Sequence, residues 1–254
     1  MGHSGHFIWY ELLTSDPQAA EAFYTHVVGW GAEDPVNSPI KYRLLTVDKA
    51  PVAGLMSAKD AQVEGVPPMW SGYIMVDDVN AYVERVKQAG GKVHTETMDI
   101  PEVGTFAVVA DPLGTSFQLF KPSRADRGDY PAPFTPGTIG WHELLSDDWE
   151  KAFGFYSGLF GWTKGEAMDM GPMGTYQIVN VDGQMYGGMM NAQAADLKIW
   201  RFYFIVDDID AAVARVREKG GQITTEPMSV PGDAWIIDGR DPQGAYFALT
   251  GPRI

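Results

Sequence analysis

Residues 7–14 alternate so that Trp9, Glu11 and Leu13 share one face of a predicted strand. Asp16-Pro17 then reads as a helix cap with a first-turn proline; Phe23 and Val27 supply apolar spacing, and Gly29 ends the helix. Residues 42–47 and 52–56 alternate as strands about a turn at Lys49-Ala50-Pro51, and residues 72–76 form another. Asp77-Asp78 caps a second helix with Val79, Tyr82, Val83 and Val86 on one face and Gly90-Gly91 as its stop. Residues 92–95, 106–110 and 116–120 read as strands, the last two joined by the turn Asp111-Pro112-Leu113-Gly114. The order is β-α-β-β-β, twice.

The same pattern returns further along the chain. At an offset of 132, Trp9, Glu11, Leu12, Leu13 and Asp16 meet Trp141, Glu143, Leu144, Leu145 and Asp148. At 134, Tyr42, Gly54 and Met56 meet Tyr176, Gly188 and Met190; at 130, Trp70, Tyr73, Asp77, Asp78, Asp111, Gly114 and Phe117 meet Trp200, Tyr203, Asp207, Asp208, Asp241, Gly244 and Phe247. An offset that changes only twice, both times in Gly/Pro/Met-rich loops, marks a duplication. The expected division is a first domain at 1–122, a linker at 123–137 and a second domain at 138–254. Residues 121–137 hold four prolines and five charges with little apolar content, which suits a linker.

Composition narrows the function classes. Nineteen basic against 33 acidic residues give a net charge of −14, which repels phosphate backbones and argues against a nucleic-acid partner. The chain has no cysteine, so disulfides and thiolate metal sites are excluded. The N-terminal MGHSGHFIWYELL lacks the basic start and apolar run of a secretory signal, and no stretch nears the roughly 20 apolar residues of a membrane span. A cytoplasmic protein with no membrane partner is the expectation.

A β-α-β-β-β unit with an aspartate cap after its first strand, a Val-Asp-Asp start to the later helix, a Gly-Gly stop and a terminal Asp-Pro-x-Gly-x-x-Phe resembles the vicinal oxygen chelate superfamily. That superfamily includes glyoxalase I, extradiol dioxygenases, and bleomycin- and fosfomycin-resistance proteins. The resemblance implies an α+β fold: tandem glyoxalase-like modules forming half-open curved sheets with the helices outside. It also implies a cup that holds a divalent metal through ligands on the first strand, on the strand before the Val-Asp-Asp helix and on the last strand. Carried over by position, those ligands fall on Trp9, Ser71 and Gln118 in the first repeat and on Trp141, Arg201 and Ala248 in the second. None is a histidine or a carboxylate, so the expected metal site is none and no cofactor is implied, with a displaced divalent site left open.

Glu11 and Glu143, two residues along from the first-strand positions, face the same way. They stand as catalytic acid/base candidates, as anchors for a cationic ligand, or as structural carboxylates paired with, for instance, Arg201. Trp9 and Trp141 offer flat apolar faces for a ligand or plug the cup themselves, and Tyr73 and Tyr203 share their side by alternation. Trp30, Trp162, Trp70 and Trp200 read as core. Met168, Met170, Met173, Met185, Met189 and Met190 read as gap-fillers or as a lid. His3, His6, His26, His94 and His142 show no metal-ligand spacing, and His142 is out of phase with Glu143. The expected ligand contacts are therefore Trp9, Glu11, Tyr73, Gln118, Trp141, Glu143, Arg201 and Tyr203, around a small, flat organic molecule handled for resistance, sequestration or secondary metabolism. The alternative is a metal-dependent lyase, isomerase or dioxygenase using Glu11, Glu143, Gln118 and His142. The residues do not decide whether a reaction is catalysed, and the chain is expected to be a monomer with paired repeats or a homodimer.

Overall fold

The computed structural model describes residues 4–35, 40–63, 65–124, 130–194 and 197–254. Of the expected linker, residues 125–129 lie outside the described residues, as does His3. The first repeat runs β1 (Phe7–Thr14), α1 (Pro17–Val28), β2 (Gly31–Glu33), β3 (Tyr42–Val47), β4 (Ala50–Ser57), β5 (Met69–Met75), α2 (Val79–Gln88), β6 (Lys92–Val93), β7 (Met98–Ile100), β8 (Gly104–Ala110) and β9 (Ser116–Pro122). The second runs β10 (Ile139–Ser146), α3 (Trp149–Phe160), β11 (Thr163–Asp169), β12 (Thr175–Val181), β13 (Gln184–Asn191), β14 (Ile199–Ile205), α4 (Ile209–Glu218), β15 (Gln222–Val230), β16 (Ala234–Arg240) and β17 (Tyr246–Gly251).

The local signals act as their chemistry predicts. Each of α1 to α4 begins at an aspartate whose carboxylate accepts a backbone N–H of the first turn: Asp16 from Ala19, Asp78 from Ala81, Asp148 from Lys151 and Asp208 from Asp210, at 3.0–3.1 Å. Gly29 and Gly161 end α1 and α3 in the left-handed conformation, at φ of 87° and 72°. The first sheet has the order β2-β3-β4-β1-β5-β9-β8-β6, with β7 also on β8; the second has β11-β12-β13-β10-β14-β17-β16-β15. Neither order returns to its start, so the sheets are open, as an α+β fold of tandem glyoxalase-like modules requires. The pairs β1/β4, β5/β9, β10/β13 and β14/β17 are parallel.

The chain condenses into two compact units that draw on both repeats: unit 1 is residues 1–9, 71–127 and 142–200, and unit 2 is residues 10–70, 128–141 and 201–254. In unit 1, α2 lies against α3, and Arg85 donates to the last-turn carbonyls of Gly158 and Leu159 at 3.1 and 2.8 Å. Unit 2 repeats the arrangement with α4 against α1, where Arg215 donates to the Val27 carbonyl at 3.0 Å. A cation at carbonyls left open by a helix end satisfies them and complements the helix dipole.

Each unit is also tied through one buried chain of hydrogen bonds. In unit 2, Trp70 Nε1 donates to Tyr24 Oη at 2.9 Å, and Tyr24 donates to Asp241 Oδ2 at 3.1 Å. In unit 1, Trp200 Nε1 donates to Tyr156 Oη at 2.9 Å, and Tyr156 donates to Asp111 Oδ2 at 3.3 Å. The other oxygen of each aspartate accepts two turn N–H groups at 2.9 Å, Leu113 and Thr115 for Asp111 and Gln243 and Ala245 for Asp241. Burial raises both carboxyls, while the backbone bonds pull the other way. All four tryptophans read as core are buried: Trp30, Trp70, Trp162 and Trp200.

Candidate functional site

The residues at the implied metal-ligand positions can be followed within each unit. In unit 1, the parallel pairing of β5 and β9 sets Tyr73 opposite Gln118, and the antiparallel pairing of β8 and β9 sets Val108 on the far side of Gln118. Ser71 donates from Oγ to Gln118 Oε1 at 2.7 Å, and both side chains are buried. Tyr73 belongs to an apolar cluster with Ile8 and Phe120, against which Trp9, Met75 and Phe106 pack. Its ring meets Phe120 edge-on at 5.9 Å between centroids. Trp9 and Tyr73, expected to share a face, thus belong to one cluster.

Unit 2 solves the equivalent position differently. Tyr203 stands opposite Ala248, and Ala248 opposite Asp238. Arg201 forms an ion pair through Nη1 with Asp238 Oδ2, and only 12% and 14% of the two side chains is exposed. The alanine leaves the room that lets Arg201 pass β17 to reach Asp238. Ser71, Gln118 and Val108 in one repeat correspond to Arg201, Ala248 and Asp238 in the other: where the middle residue is long and polar its neighbours are small or apolar, and where it is alanine they are oppositely charged. Trp141 is half-buried in this unit.

Glu11 and Glu143 each belong to a three-residue arrangement. In unit 2, Glu11 lies opposite Gly54 in the β1/β4 pairing, and Tyr42 Oη donates to Glu11 Oε2 at 2.8 Å. The tyrosine lies across the glycine, since a Cβ on Gly54 would stand 1.7 Å from Tyr42 Oη. In unit 1, Glu143 lies opposite Gly188, and a Cβ there would stand 2.3 Å from the Tyr176 ring and hydroxyl. Sequence reasoning singled out the glutamates and missed the tyrosines. The signal was present in the equal spacing of Tyr42 to Gly54 and of Tyr176 to Gly188.

With this geometry in view, the model of the glyoxalase/bleomycin resistance protein/dioxygenase superfamily matches residues 5–119 and 138–249. The chain belongs to that superfamily. Among curated relatives, CFP32 of Mycobacterium tuberculosis (strain CDC 1551 / Oshkosh), which carries the word glyoxylase in its name, is 33% identical over 250 residues, covering 96% of this chain and 94% of that protein. DnrV of Streptomyces peucetius, named an anthracycline biosynthesis protein, is 30% identical over 259 residues, covering 95% of this chain and 91% of that one. Among solved structures, the Mn(II)-bound glyoxalase of Novosphingobium aromaticivorans superposes with a TM-score of 0.68 at 16% identity over 99% of this chain and 83% of its own. The 2,3-dioxygenase LapB of Pseudomonas sp. KL28 does so with 0.68 at 11%, over 99% and 94%. At those identities they establish the shared fold.

Measured against this superfamily's divalent ion, the donor set of this chain does not fit. Two indoles, a hydroxyl, an amide, a guanidinium and a methyl group stand at the six positions, with no anionic or imidazole donor among them. The Ser71 hydroxyl is engaged by the Gln118 amide oxygen. Among the described residues no three His, Asp or Glu groups gather as an ion would need.

His142 points away from Glu143, as alternation requires, and is buried in unit 1. Its ring is stacked on Tyr186 at 4.4 Å and on Phe7 at 5.1 Å, and Nδ1 lies 3.1 Å from the Tyr186 carbonyl. Burial pushes its pKa down to about 4, against the opposing effect of that hydrogen bond. His6 faces Asp182 at 3.8 Å and His26 faces Glu218 at 3.1 Å. Met189 and Met190 fill the core, whereas Met173 and Met185 are exposed. Among the described residues no helix is long and apolar enough to cross a membrane.

Proposed function

We propose that this chain binds a small, planar organic molecule without the divalent ion of its superfamily, and that it serves in the cytoplasm in sequestration, resistance or a step of secondary metabolism. The observation that carries the reading is the Arg201–Asp238 ion pair at an implied metal-ligand position. A guanidinium there puts positive charge where an ion would sit, and its carboxylate partner is already committed. What those strands still offer a ligand is aromatic and acidic: Trp9 in unit 1 and Glu11 and Trp141 in unit 2 keep surface open to solvent, while Tyr73, Gln118 and Tyr203 are buried. Indole and phenol rings suit flat apolar ligands with a few polar substituents. The relative named for anthracycline biosynthesis supports the aromatic class, since anthracyclines are planar polycyclic aromatics.

Elemental analysis of protein purified without chelator or nickel affinity, before and after incubation with Zn, Ni, Mn and Fe, is the test. The expected result is substoichiometric metal throughout, together with a thermal shift on adding a hydroxyanthraquinone. One tightly held divalent ion per chain whose removal abolishes binding or turnover would overturn the proposal in favour of a metal-dependent lyase, isomerase or dioxygenase.

A further inference from the structure

The Glu-Gly-Tyr arrangement is present twice, and the two copies differ in what stands beside the tyrosine. In unit 1, β11 is long enough for Met168 to lie directly opposite Tyr176 in the antiparallel ladder, and so on the same side of the sheet. Tyr176 and Glu143 are buried there, with 9% and 6% of their surface exposed. In unit 2 the β2/β3 ladder ends at Glu33 opposite Leu44, two residues short of Tyr42. Tyr42 and Glu11 both keep surface open to solvent, as do Leu13 and Leu44 next to them.

We infer that the unit 2 copy, Tyr42 with Glu11, is the contact surface for the planar ligand, and that the unit 1 copy is a closed structural counterpart. The assignment rests on the binding role proposed above and goes beyond it in naming the platform, the stoichiometry of one ligand per chain and the ligand's charge. Tyr42 is suited to the task because its ring is already held. Gly54 lets it lie against β4, and its hydroxyl is hydrogen-bonded to Glu11. Stacking on a ring that has already lost its rotational freedom costs less than ordering a mobile one. Leu13 and Leu44 extend the apolar floor. The Glu11 carboxylate selects a ligand that carries hydroxyl or ammonium donors beside its rings and disfavours one carrying a sulfonate or carboxylate. Tyr42 is therefore the stacking platform, and Glu11 both positions its ring and determines specificity.

The experiment is a fluorescence titration with quinizarin, a planar hydroxyanthraquinone, and with its sulfonated analogue, on the full chain and on Tyr42→Leu, Gly54→Ala, Glu11→Gln and Tyr176→Leu. The wild type is expected to bind one quinizarin per chain and to discriminate against the sulfonate, and Tyr42→Leu to weaken binding by roughly tenfold, about the worth of one aromatic contact. Gly54→Ala should weaken it similarly by displacing the ring, and Glu11→Gln should reduce the discrimination. Tyr176→Leu should lower the melting temperature and leave the affinity unchanged. Nitration of the wild type by tetranitromethane, followed by mass spectrometry, reads the asymmetry without any ligand or substitution, and so keeps the test decisive where a variant fails to fold: Tyr42 should react well ahead of Tyr176, and quinizarin should protect it. Wild-type binding that survives Tyr42→Leu, two equal sites per chain, or faster nitration of Tyr176 would overturn this assignment alone. A wild type that binds no aromatic probe would remove the binding role itself, and this assignment with it.

Discussion

Burial, more than any single partner, sets the chemistry of His142. Its folded pKa of about 4 lies below the ordinary 6.5, so the fold prefers the neutral ring. The associated stability is complete above pH 6.5 and is lost as the pH falls through about 4, a change on the order of 3 kcal/mol. Asp111 and Asp241 carry the opposite sign: burial raises both, so their contribution is complete below the ordinary 3.8 and is lost as the pH rises through the folded values. Both aspartates are retained in His142→Phe, so the difference between this variant and the wild type isolates the histidine. Urea unfolding should find the stability of the wild type relative to the variant falling by roughly 3 kcal/mol between pH 7 and pH 4; a difference constant with pH would contradict the buried neutral ring. At this scale strand alternation made it legible in the sequence that His142 points to the opposite side from Glu143. The Arg201–Asp238 pair was not, because Asp238 aligns with Val108 across the repeat and nothing local marks it as a partner for an arginine on another strand.

Elements were legible where a periodic face is buried and hidden where it is not. The four helices carry aspartate caps and apolar stripes, and the buried strands alternate. Three sheet-edge elements left weaker traces: β2 and β7 are three residues each, and β11 reads TKGEAMD with almost no buried position. A strand exposed on both sides has no period-two signal to show. The Asp-Pro-x-Gly turns were legible as turns, but their second role was not, since Tyr24 and Asp241 are 217 residues apart. That role predicts the effect of Tyr156→Phe. The substitution keeps the ring packed and leaves the Trp200 N–H and an Asp111 oxygen each short of a buried partner, at a cost of about 1 to 3 kcal/mol. Equilibrium unfolding would show it, and an unchanged midpoint would mean that the chain of hydrogen bonds contributes nothing net.

The whole molecule is organised by repeats along the chain and by half-repeats in its contacts. Each compact unit takes one β-α-β-β-β half from each repeat, so the first repeat alone lacks the partners of α1 and of the Asp111 turn. It does hold both kinds of complementary group, Tyr24 and Asp111. Residues 1–122 expressed alone should therefore form a dimer by light scattering, each copy presenting Tyr24 to the other's Asp111, and a stable folded monomer would refute this interdependence. The duplication, the α+β class and the order of elements were determined by the sequence, because each rests on residue type and local spacing; so were the residue types at the positions that the superfamily resemblance implies for metal ligands. The tertiary structure decided the rest: which half packs on which, which carboxylate answers Arg201, and which of two Glu-Gly-Tyr sets with the same Tyr-to-Gly spacing stays open to solvent. Those depend on side chains far apart in the chain meeting across strands, and on how far an edge strand runs beside a tyrosine, and local periodicity encodes neither.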